Sequence, residues 1–301
     1  MWHNFDLNYQ TKHAAAKHIP INTQARQKHL CYVFFYKGSV KIGLNLACLS
    51  LWFFALLAGA VLRVKRAVSW IKTLIKSFLR SVSDKARARR GEQFMTLMGV
   101  QPHHRILDLG GGNGSHFHAI APDHKNVLIA DHWAPDLEQA KANFGYETML
   151  LDGSKEALPF EDRAFDIVFC SSVSEHVTGP KQAMLDMDDN KAFDATAIVH
   201  QQRFADELRR ITDGYFVQTP NVDFPLEQHS MLPQPIIFLP RPLQRSLMKT
   251  VGKFWVSNVQ PDWRLLNEAD MAGFFPDAEL VLEKVAGFTK SITAVRKRSG
   301  H

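Results

Sequence analysis

The feature that most constrains the fold is the segment RILDLGGGNGSHFHAI, residues 105–120, in which four glycines occupy five positions after an apolar run. The apolar run is typical of a short buried strand, and the residues after the last glycine are typical of a helix start. Glycine permits positive φ and a close approach of the backbone to a ligand, and a helix start offers free N–H groups and the positive end of a dipole. The segment predicts a strand–turn–helix unit whose turn binds a carboxylate or a phosphate, with an ordinary tight turn as the alternative.

From about residue 84 onward, strand-like and helix-like segments alternate along the chain. Such alternation is typical of a parallel sheet that is covered by helices on both faces. Near the C-terminus, two strand-like runs flank Ala286-Gly287 and predict a closing hairpin. We therefore expect an α/β fold: a doubly wound, mostly parallel seven-stranded Rossmann-like sheet with a C-terminal antiparallel hairpin, preceded by an N-terminal membrane-anchor helix. The predicted strands are 105–109, 126–130, 148–151, 164–172 and 214–220, and the predicted helices include 115–120 and 135–144.

Three acidic residues stand at the ends of the first three predicted strands. Asp108 precedes the glycines, Asp131 lies 21 residues beyond Gly110, and Asp152 ends the third strand. Open α/β sheets bind ligands at the carboxyl ends of their strands, where an acid after the second strand takes the hydroxyls of a ribose. Asp152 is placed to accept a hydrogen bond from an adenine amino group, and Asp108 to orient the turn or to receive an ammonium. A single strand-end acid is more often merely solvated, but three beside the glycines indicate a nucleoside-binding site.

The pattern Asp-x-Gly-x-Gly-x-Gly over residues 108–114 resembles motif I of the class I S-adenosylmethionine-dependent methyltransferases. A nicotinamide-binding fold would favour a glycine at position 115, which is Ser115 here. The resemblance covers roughly residues 83–298 and is closest to the broad type 11 methyltransferase group. It implies S-adenosylmethionine as the cofactor and does not specify the substrate.

The resemblance also implies a role for individual residues around the cofactor, with one departure at Asn113, where many family members have a small residue. It implies that Asp108, Gly110, Gly112 and Gly114 surround the methionine part, that Asp131 binds the ribose with His132 and Trp133 beside the adenosine, that Asp152 and Gly153 border the adenine, and that Ser171 lies near the methyl group.

The implied reaction is an in-line displacement at the sulfonium methyl, for which the protein supplies orientation and, where needed, a base. The candidate catalytic residues are His176, in SSVSEHV, and Glu227 and His229, in NVDFPLEQHSMLP. Histidine suits this role because its pKa is near neutral. Glu175 and Glu227 have the alternative role of capping or anchoring their loops.

Four other histidines invite a metal interpretation, namely His103, His104, His116 and His118. No HExxH motif and no Cys/His framework accompanies them. We therefore expect them to be surface histidines and predict no metal site.

The charge distribution and the cysteine content indicate which class of partner and which cellular compartment to expect. The net charge is +6, but residues 63–90 carry ten Lys or Arg against one acidic residue, so the remainder of the chain is slightly acidic. Nucleic-acid enzymes more often spread positive charge over their working face, so we expect no nucleic-acid partner. The three cysteines are far apart, which fits a reducing compartment.

An uncharged apolar run over residues 42–62 predicts a transmembrane helix, because about 20 such residues span a bilayer. A buried core helix and a cleaved signal peptide are the alternatives. Residues 63–82 then repeat apolar residues on a helical period with basic flanks, which predicts an amphipathic helix at an anionic lipid surface or packed on the folded domain. Residues 1–41 form a leader with no readable pattern, and residues 83–301 form the methyltransferase domain.

Together these features predict a membrane-anchored, S-adenosylmethionine-dependent methyltransferase whose catalytic domain faces the cytoplasm. The expected acceptor is a small amphipathic or lipid-linked molecule. The alternatives are a tethered methyltransferase for a soluble small molecule, a cofactor-binding scaffold without turnover and, less favoured, a dehydrogenase.

Overall fold

The computed structural model describes most of the chain beyond residue 86. The predicted leader over 1–41 and the predicted transmembrane helix over 42–62 lie outside the described residues, as does most of the amphipathic helix predicted over 63–82. No helix within the described part of the chain is long and apolar enough to cross a membrane. All the elements below belong to one compact unit. The described residues are 87–153, 155, 157–253, 255 and 257–298, together with Trp70, Thr73 and Ser77.

Most of the described strands belong to one seven-stranded sheet. It contains β1 (Ile106–Leu109), β2 (Val127–Asp131), β3 (Glu147–Leu150), β4 (Ile167–Ser171), β5 (Tyr215–Pro220), β8 (Glu279–Val285) and β9 (Phe288–Arg296), whereas β6 (Leu226–Glu227) and β7 (Leu232–Pro233) form a small hairpin. The order in the large sheet is β3-β2-β1-β4-β5-β9-β8, with the first five strands parallel and β9 antiparallel to both β5 and β8. The predicted sheet is confirmed, including the C-terminal hairpin, which turns at Ala286 and Gly287.

Helices cover both faces of this sheet, as a doubly wound fold requires. Side chains alternate between the faces along a strand, so Ile106 and Leu107 enter different hydrophobic clusters. The helices are α1 (described over 87–98), α2 (Ser115–Ile120), α3 (Ala134–Phe144), α4 (Lys181–Asp186), α5 (Asn190–Ile211), α6 (Arg241–Gly252) and α7 (Glu268–Phe274), with 3₁₀ turns at Ser174–His176 and Gln234–Phe238. Ile106 packs with α1, α2 and α3, and Leu107 with α5 and α7.

All five predicted strands differ from the observed ones in their bounds, most of them by one residue. The third runs over residues 147–150 instead of 148–151, and the fourth begins at Ile167 instead of residue 164. The third is an edge strand whose residues are all partly or fully exposed, so burial does not mark its ends. Before the fourth strand, Asp166 accepts a hydrogen bond from the Arg105 N–H (2.7 Å) through its side chain, so it anchors the entry to the strand.

Candidate active site

The glycine turn follows β1 at the carboxyl edge of the sheet. Gly110, Gly112 and Gly114 have φ values of 75°, 54° and 72°, a region that residues with a Cβ rarely adopt. A Cβ on Gly111 would lie 2.3 Å from Oδ2 of Asp108. The conformation and packing of this turn therefore require residues without a Cβ. Because α2 has only six residues, the N–H groups of the turn, rather than a long helix dipole, are what the site can offer.

Asp131, at the end of β2, ties the turn to the neighbouring strand. Its Oδ2 accepts a hydrogen bond from the Gly112 N–H (3.0 Å), and its Oδ1 accepts one from the Trp133 N–H (3.1 Å) and lies 3.0 Å from Nδ1 of His132. Burial opposes ionisation of this carboxyl, but the hydrogen bonds and the His132 ring hold its pKa below the usual value. Asp131 is thus an ionised acceptor beside the glycines.

Asp108, at the base of the turn, is buried, and one of its carboxylate oxygens has no hydrogen-bond partner among the described residues. Its side chain is 2% exposed, and its Oδ2 has no partner among the described residues. Burial, with the nearby Asp131 charge, raises the pKa of Asp108 to about 8. A buried acceptor without a donor carries a desolvation cost that a cationic ligand group would relieve.

The remaining predicted cofactor residues lie on the same edge of the sheet but differ in exposure. Asp152 and Gly153 are exposed and follow β3 by two and three residues, so Asp152 does not itself end that strand. Ser171 ends β4, where its hydroxyl donates to Oε1 of Gln218 (2.8 Å). Arg90 of α1 donates to the same oxygen (3.2 Å), a contact between distant segments that no local sequence pattern indicates.

A second group of side chains, which we call the histidine cluster, consists of Glu175, His176, Glu227 and His229. Glu227 Oε1 lies 2.7 Å from Nδ1 of His229, and the other ring nitrogen, Nε2, lies 3.8 Å from Oε1 of Glu175. The His176 ring meets the His229 ring edge-to-face, with centroids 4.8 Å apart. All three predicted catalytic residues therefore lie together.

The histidine cluster is held by buried contacts. Thr219, in β5, donates its hydroxyl to Glu175 Oε2 (3.1 Å), and Trp263 stacks on His229 with ring centroids 4.6 Å apart. Ser230 N–H donates to Glu227 Oε2 (2.6 Å). Glu175 and Glu227 are both 0% exposed, so neither is merely a solvated loop carboxylate.

The two histidines of the cluster differ in charge because their surroundings differ. Burial would lower the pKa of His229, but the carboxylates of Glu175 and Glu227 raise it to about 9. Burial and the neighbouring His229 hold the pKa of His176 well below its usual value. At neutral pH, His229 therefore carries a proton on each ring nitrogen, while His176 is a neutral acceptor or donor.

Sequence reasoning missed Glu175 as more than a loop anchor, and it missed Trp263 and Thr219 altogether. The one available signal for Glu175 was its position directly before His176, a predicted base. The contacts of Trp263 and Thr219 with the cluster depend on distant segments, so no local pattern announced them.

The four histidines that we expected at the surface, His103, His104, His116 and His118, are not uniformly exposed. His103 is exposed, whereas His116 is partly buried and its Nε2 has no hydrogen-bond partner within the described structure. Burial, with Arg90 and Arg87 nearby, lowers the pKa of His116 to about 3. The expectation of a surface histidine is wrong for His116, because α2 turns this residue toward Phe169 of the sheet.

A cavity of about 380 Å³ lies beside the histidine cluster rather than at the glycine turn. Its lining includes Phe193, Asp194, Arg241 and Trp263, and Trp263 also stacks on His229. The guanidinium of Arg241 sits 3.6 Å above the centre of the Phe193 ring and donates to backbone oxygens. None of the glycines of the turn lines this cavity, so it is separate from the predicted cofactor site.

Comparison with protein families identifies the unit that carries the turn. Residues 107–189 match the family model for a methyltransferase domain, Methyltransf_11. The chain contains a class I S-adenosylmethionine-dependent methyltransferase domain. The match begins within β1 and ends just before α5, so it includes the glycine turn, Asp131 and the Glu175-His176 pair.

Two curated relatives are similar to a stretch of 102 residues. They are the ubiquinone/menaquinone biosynthesis C-methyltransferases UbiE of Vibrio campbellii and Vibrio parahaemolyticus, with 30% and 31% identity. The match covers 30% of this chain and 38% of each relative, so the chain spans less than half the length of the curated relatives it matches.

Solved structures of low sequence identity also align with the chain. A SAM-dependent methyltransferase from Methanosarcina mazei is 12% identical, with a TM-score of 0.43, over 66% of this chain and 94% of that one. An S-adenosylmethionine-dependent methyltransferase from Clostridium acetobutylicum is 12% identical, with a TM-score of 0.42, over 71% of this chain and 92% of that one.

The residues of the methyltransferase domain fit its cofactor, S-adenosylmethionine. The unpartnered Oδ2 of Asp108 suits the methionine ammonium, and at Gly112 only Oδ2 of Asp136 lies within 4 Å of the place that a Cβ would take, so the turn is open there. Asp131 is ionised and stands where the ribose hydroxyls are expected. When bound, the cofactor supplies an activated methyl group.

Proposed function

We propose that the whole chain is an S-adenosylmethionine-dependent methyltransferase that acts on a small molecule. The observation that carries the proposal is the conjunction of two groups at the carboxyl edge of one sheet. The glycine turn with Asp108 and Asp131 fits the cofactor, and the histidine cluster, which begins four residues after β4 ends, can accept or donate a proton. The similarity to the UbiE proteins, which are ubiquinone/menaquinone biosynthesis C-methyltransferases, favours a small-molecule acceptor.

In this proposal the glycine turn and its acidic residues bind the cofactor, and the histidine cluster transfers the proton. Asp108 and Asp131 bind and orient the cofactor, which accounts for most of the rate gain in a reaction whose leaving group is already activated. Proton removal from the acceptor is assigned to the histidine cluster as a unit, because its members share buried hydrogen bonds and act on one another's charge.

We further propose that the acceptor is amphipathic or lipid-linked and is met at the cytoplasmic face of a membrane. The support is the apolar run over 42–62 and the basic stretch that follows it, which favours retention of that side in the cytoplasm. S-adenosylmethionine as the cofactor agrees with a cytoplasmic domain. A tethered enzyme for a soluble substrate and a non-catalytic scaffold are the alternatives.

Cofactor binding is tested by Asp131→Ala. Loss of an ionised hydrogen-bonding group costs about 1.5–3 kcal/mol, so S-adenosylmethionine should bind about tenfold or more weakly by calorimetry. Asp123→Ala, which removes an exposed acid of the same type, is the matched control and should bind normally. Tight NADH binding by a wild-type protein that ignores S-adenosylmethionine would overturn the domain assignment.

Turnover is tested with methyl-labelled cofactor, incubated with the protein and either membranes or soluble extract. We expect label in the lipid-extractable fraction, and His229→Gln should lower kcat by about 10²-fold or more while cofactor affinity is kept. Label in a soluble small molecule supports the tethered alternative. Cofactor binding without any label supports the scaffold.

Membrane attachment is tested by fractionation. The full-length protein should sediment with membranes and resist high-salt and carbonate washes, while deletion of residues 1–62 should leave weak binding to anionic lipid that salt releases. Recovery of the full-length protein in the soluble fraction without detergent contradicts the anchor and removes the main support for a lipid-like acceptor.

A further inference from the structure

The histidine cluster has the composition and spacing of a metal site. One potential ligand atom from each of Glu175, His176 and His229 lies within 4.8 Å of the other two. Glu175 and His176 come from the 3₁₀ turn after β4, and His229 from the loop between β6 and β7. We infer that these three side chains form a binding site for a divalent first-row transition-metal ion.

The orientation of His229 is the one that a metal ligand requires. Its Nδ1 lies 2.7 Å from Glu227 Oε1, and Glu227 is itself fixed by the backbone N–H groups of His229 and Ser230. Histidines that bind metal almost always donate their second ring N–H to a carboxylate or carbonyl, which sets the tautomer. This contact leaves Nε2 of His229 directed at Glu175.

Glu175 supplies the second independent observation. Its side chain is 0% exposed, and while Oε2 accepts from Thr219, Oε1 has no hydrogen-bond partner in the described structure. Oε1 lies 3.8 Å from Nε2 of His229, which is too long for a hydrogen bond. Two ligands that each bind one ion at about 2.0–2.2 Å stand about 2.9–4.3 Å apart, from a right angle to opposite positions. The separation therefore fits an ion between them.

The donor set selects the metal. Two imidazole nitrogens and one carboxylate are the ligands of many catalytic zinc sites, which keep a further position open. Calcium and magnesium prefer all-oxygen sites. If the proposed methyl transfer is correct, an acceptor oxygen at the open position would lose its proton more readily, with His229 acting as a ligand instead of a base. This last role rests on the proposed function, whereas metal binding does not.

Metal binding is measured on the full-length protein, purified with a tag that contains no histidine. After dialysis against zinc and removal of loose metal, the wild type should retain one zinc per chain by elemental analysis. Glu175→Gln and His176→Gln should each weaken zinc binding by about tenfold or more, and Glu227→Gln, which removes the outer carboxylate, by about 10- to 100-fold. His103→Gln removes an exposed imidazole and is the matched control, with wild-type zinc content expected.

Cobalt substitution separates this site from other histidines and from a folding defect. The Co²⁺ wild type should show visible d–d bands that His103→Gln keeps and folded Glu175→Gln and His176→Gln lose. If a variant does not fold by circular dichroism, the cobalt spectrum of the wild type decides. A wild type without such bands, or a folded His176→Gln that retains full zinc, overturns the site. Zinc binding without methyl transfer would contradict the proposed function but would still support the metal site.

Discussion

Replacing Gly111 by alanine tests whether the conformation of the glycine turn is coupled to the position of the buried Asp108 carboxyl. The new Cβ would stand 2.3 Å from Oδ2 and 2.6 Å from Cγ of Asp108, and 2.9 Å from Cγ2 of Ile129. Gly111 lies outside the positive-φ region, so steric overlap rather than backbone strain is the cause of the effect. Asp108 is 2% exposed and Ile129 is 0% exposed, so the carboxyl and the turn must shift within a packed core.

The size of the effect follows from that overlap. Overpacking a buried site costs about 1–3 kcal/mol, which should appear as a lower free energy of unfolding in urea. Displacement of the Asp108 carboxyl should weaken S-adenosylmethionine binding by about tenfold or more, since a charged hydrogen bond contributes about 1.5–3 kcal/mol and 1.4 kcal/mol is tenfold.

Gly273→Ala is the matched control for this substitution. No atom lies within 4 Å of a Cβ at Gly273, and this residue is in α7, where alanine stabilises by about 0.5–1 kcal/mol. Its cofactor affinity should be that of the wild type. If Gly111→Ala unfolds at the wild-type urea concentration and binds the cofactor within twofold of wild type, the coupling of the turn to Asp108 is refuted.

Three further substitutions probe buried polar groups. The pKa of Asp108 in the folded chain is about 8, which exceeds that of an unfolded aspartate. The folded chain therefore binds more protons than the unfolded chain between about pH 4 and 8, and its free energy of unfolding falls as the pH rises through that window. Asp108→Asn should flatten this fall in urea titrations at several pH values. Tyr215→Phe removes a 2.7 Å hydrogen bond to Asp277 and should lower the free energy of unfolding by about 1 kcal/mol, and an unchanged value would mean that the Asp277 ion pairs compensate. Thr219→Val leaves Glu175 without its hydroxyl donor and should cost about 1–3 kcal/mol, while a neutral result would indicate that water or a metal ion already satisfies that carboxylate.

The cofactor half of the site could be predicted from the sequence because its determinants are local. Within residues 105–120, apolar residues that can be buried on both sides form β1, and glycines permit the positive φ values of the turn. Asp131 could be placed because parallel strands bring their carboxyl ends to one edge. The bounds of β3 were missed by one residue, since an exposed edge strand has no burial pattern to mark its ends.

The histidine cluster was only partly accessible to the same reasoning. His176, Glu227 and His229 were chosen by residue type, but their contact joins segments more than 50 positions apart. Only the folding of the β6–β7 hairpin onto the turn after β4, with Trp263 packed behind His229, brings Glu175 within 3.8 Å of the ring. The same burial changes the pKa values of both histidines, because removal of water strengthens every charge interaction in the cluster. Local chemistry thus determined the cofactor turn, and tertiary packing decided which side chains meet beside it and in which protonation state.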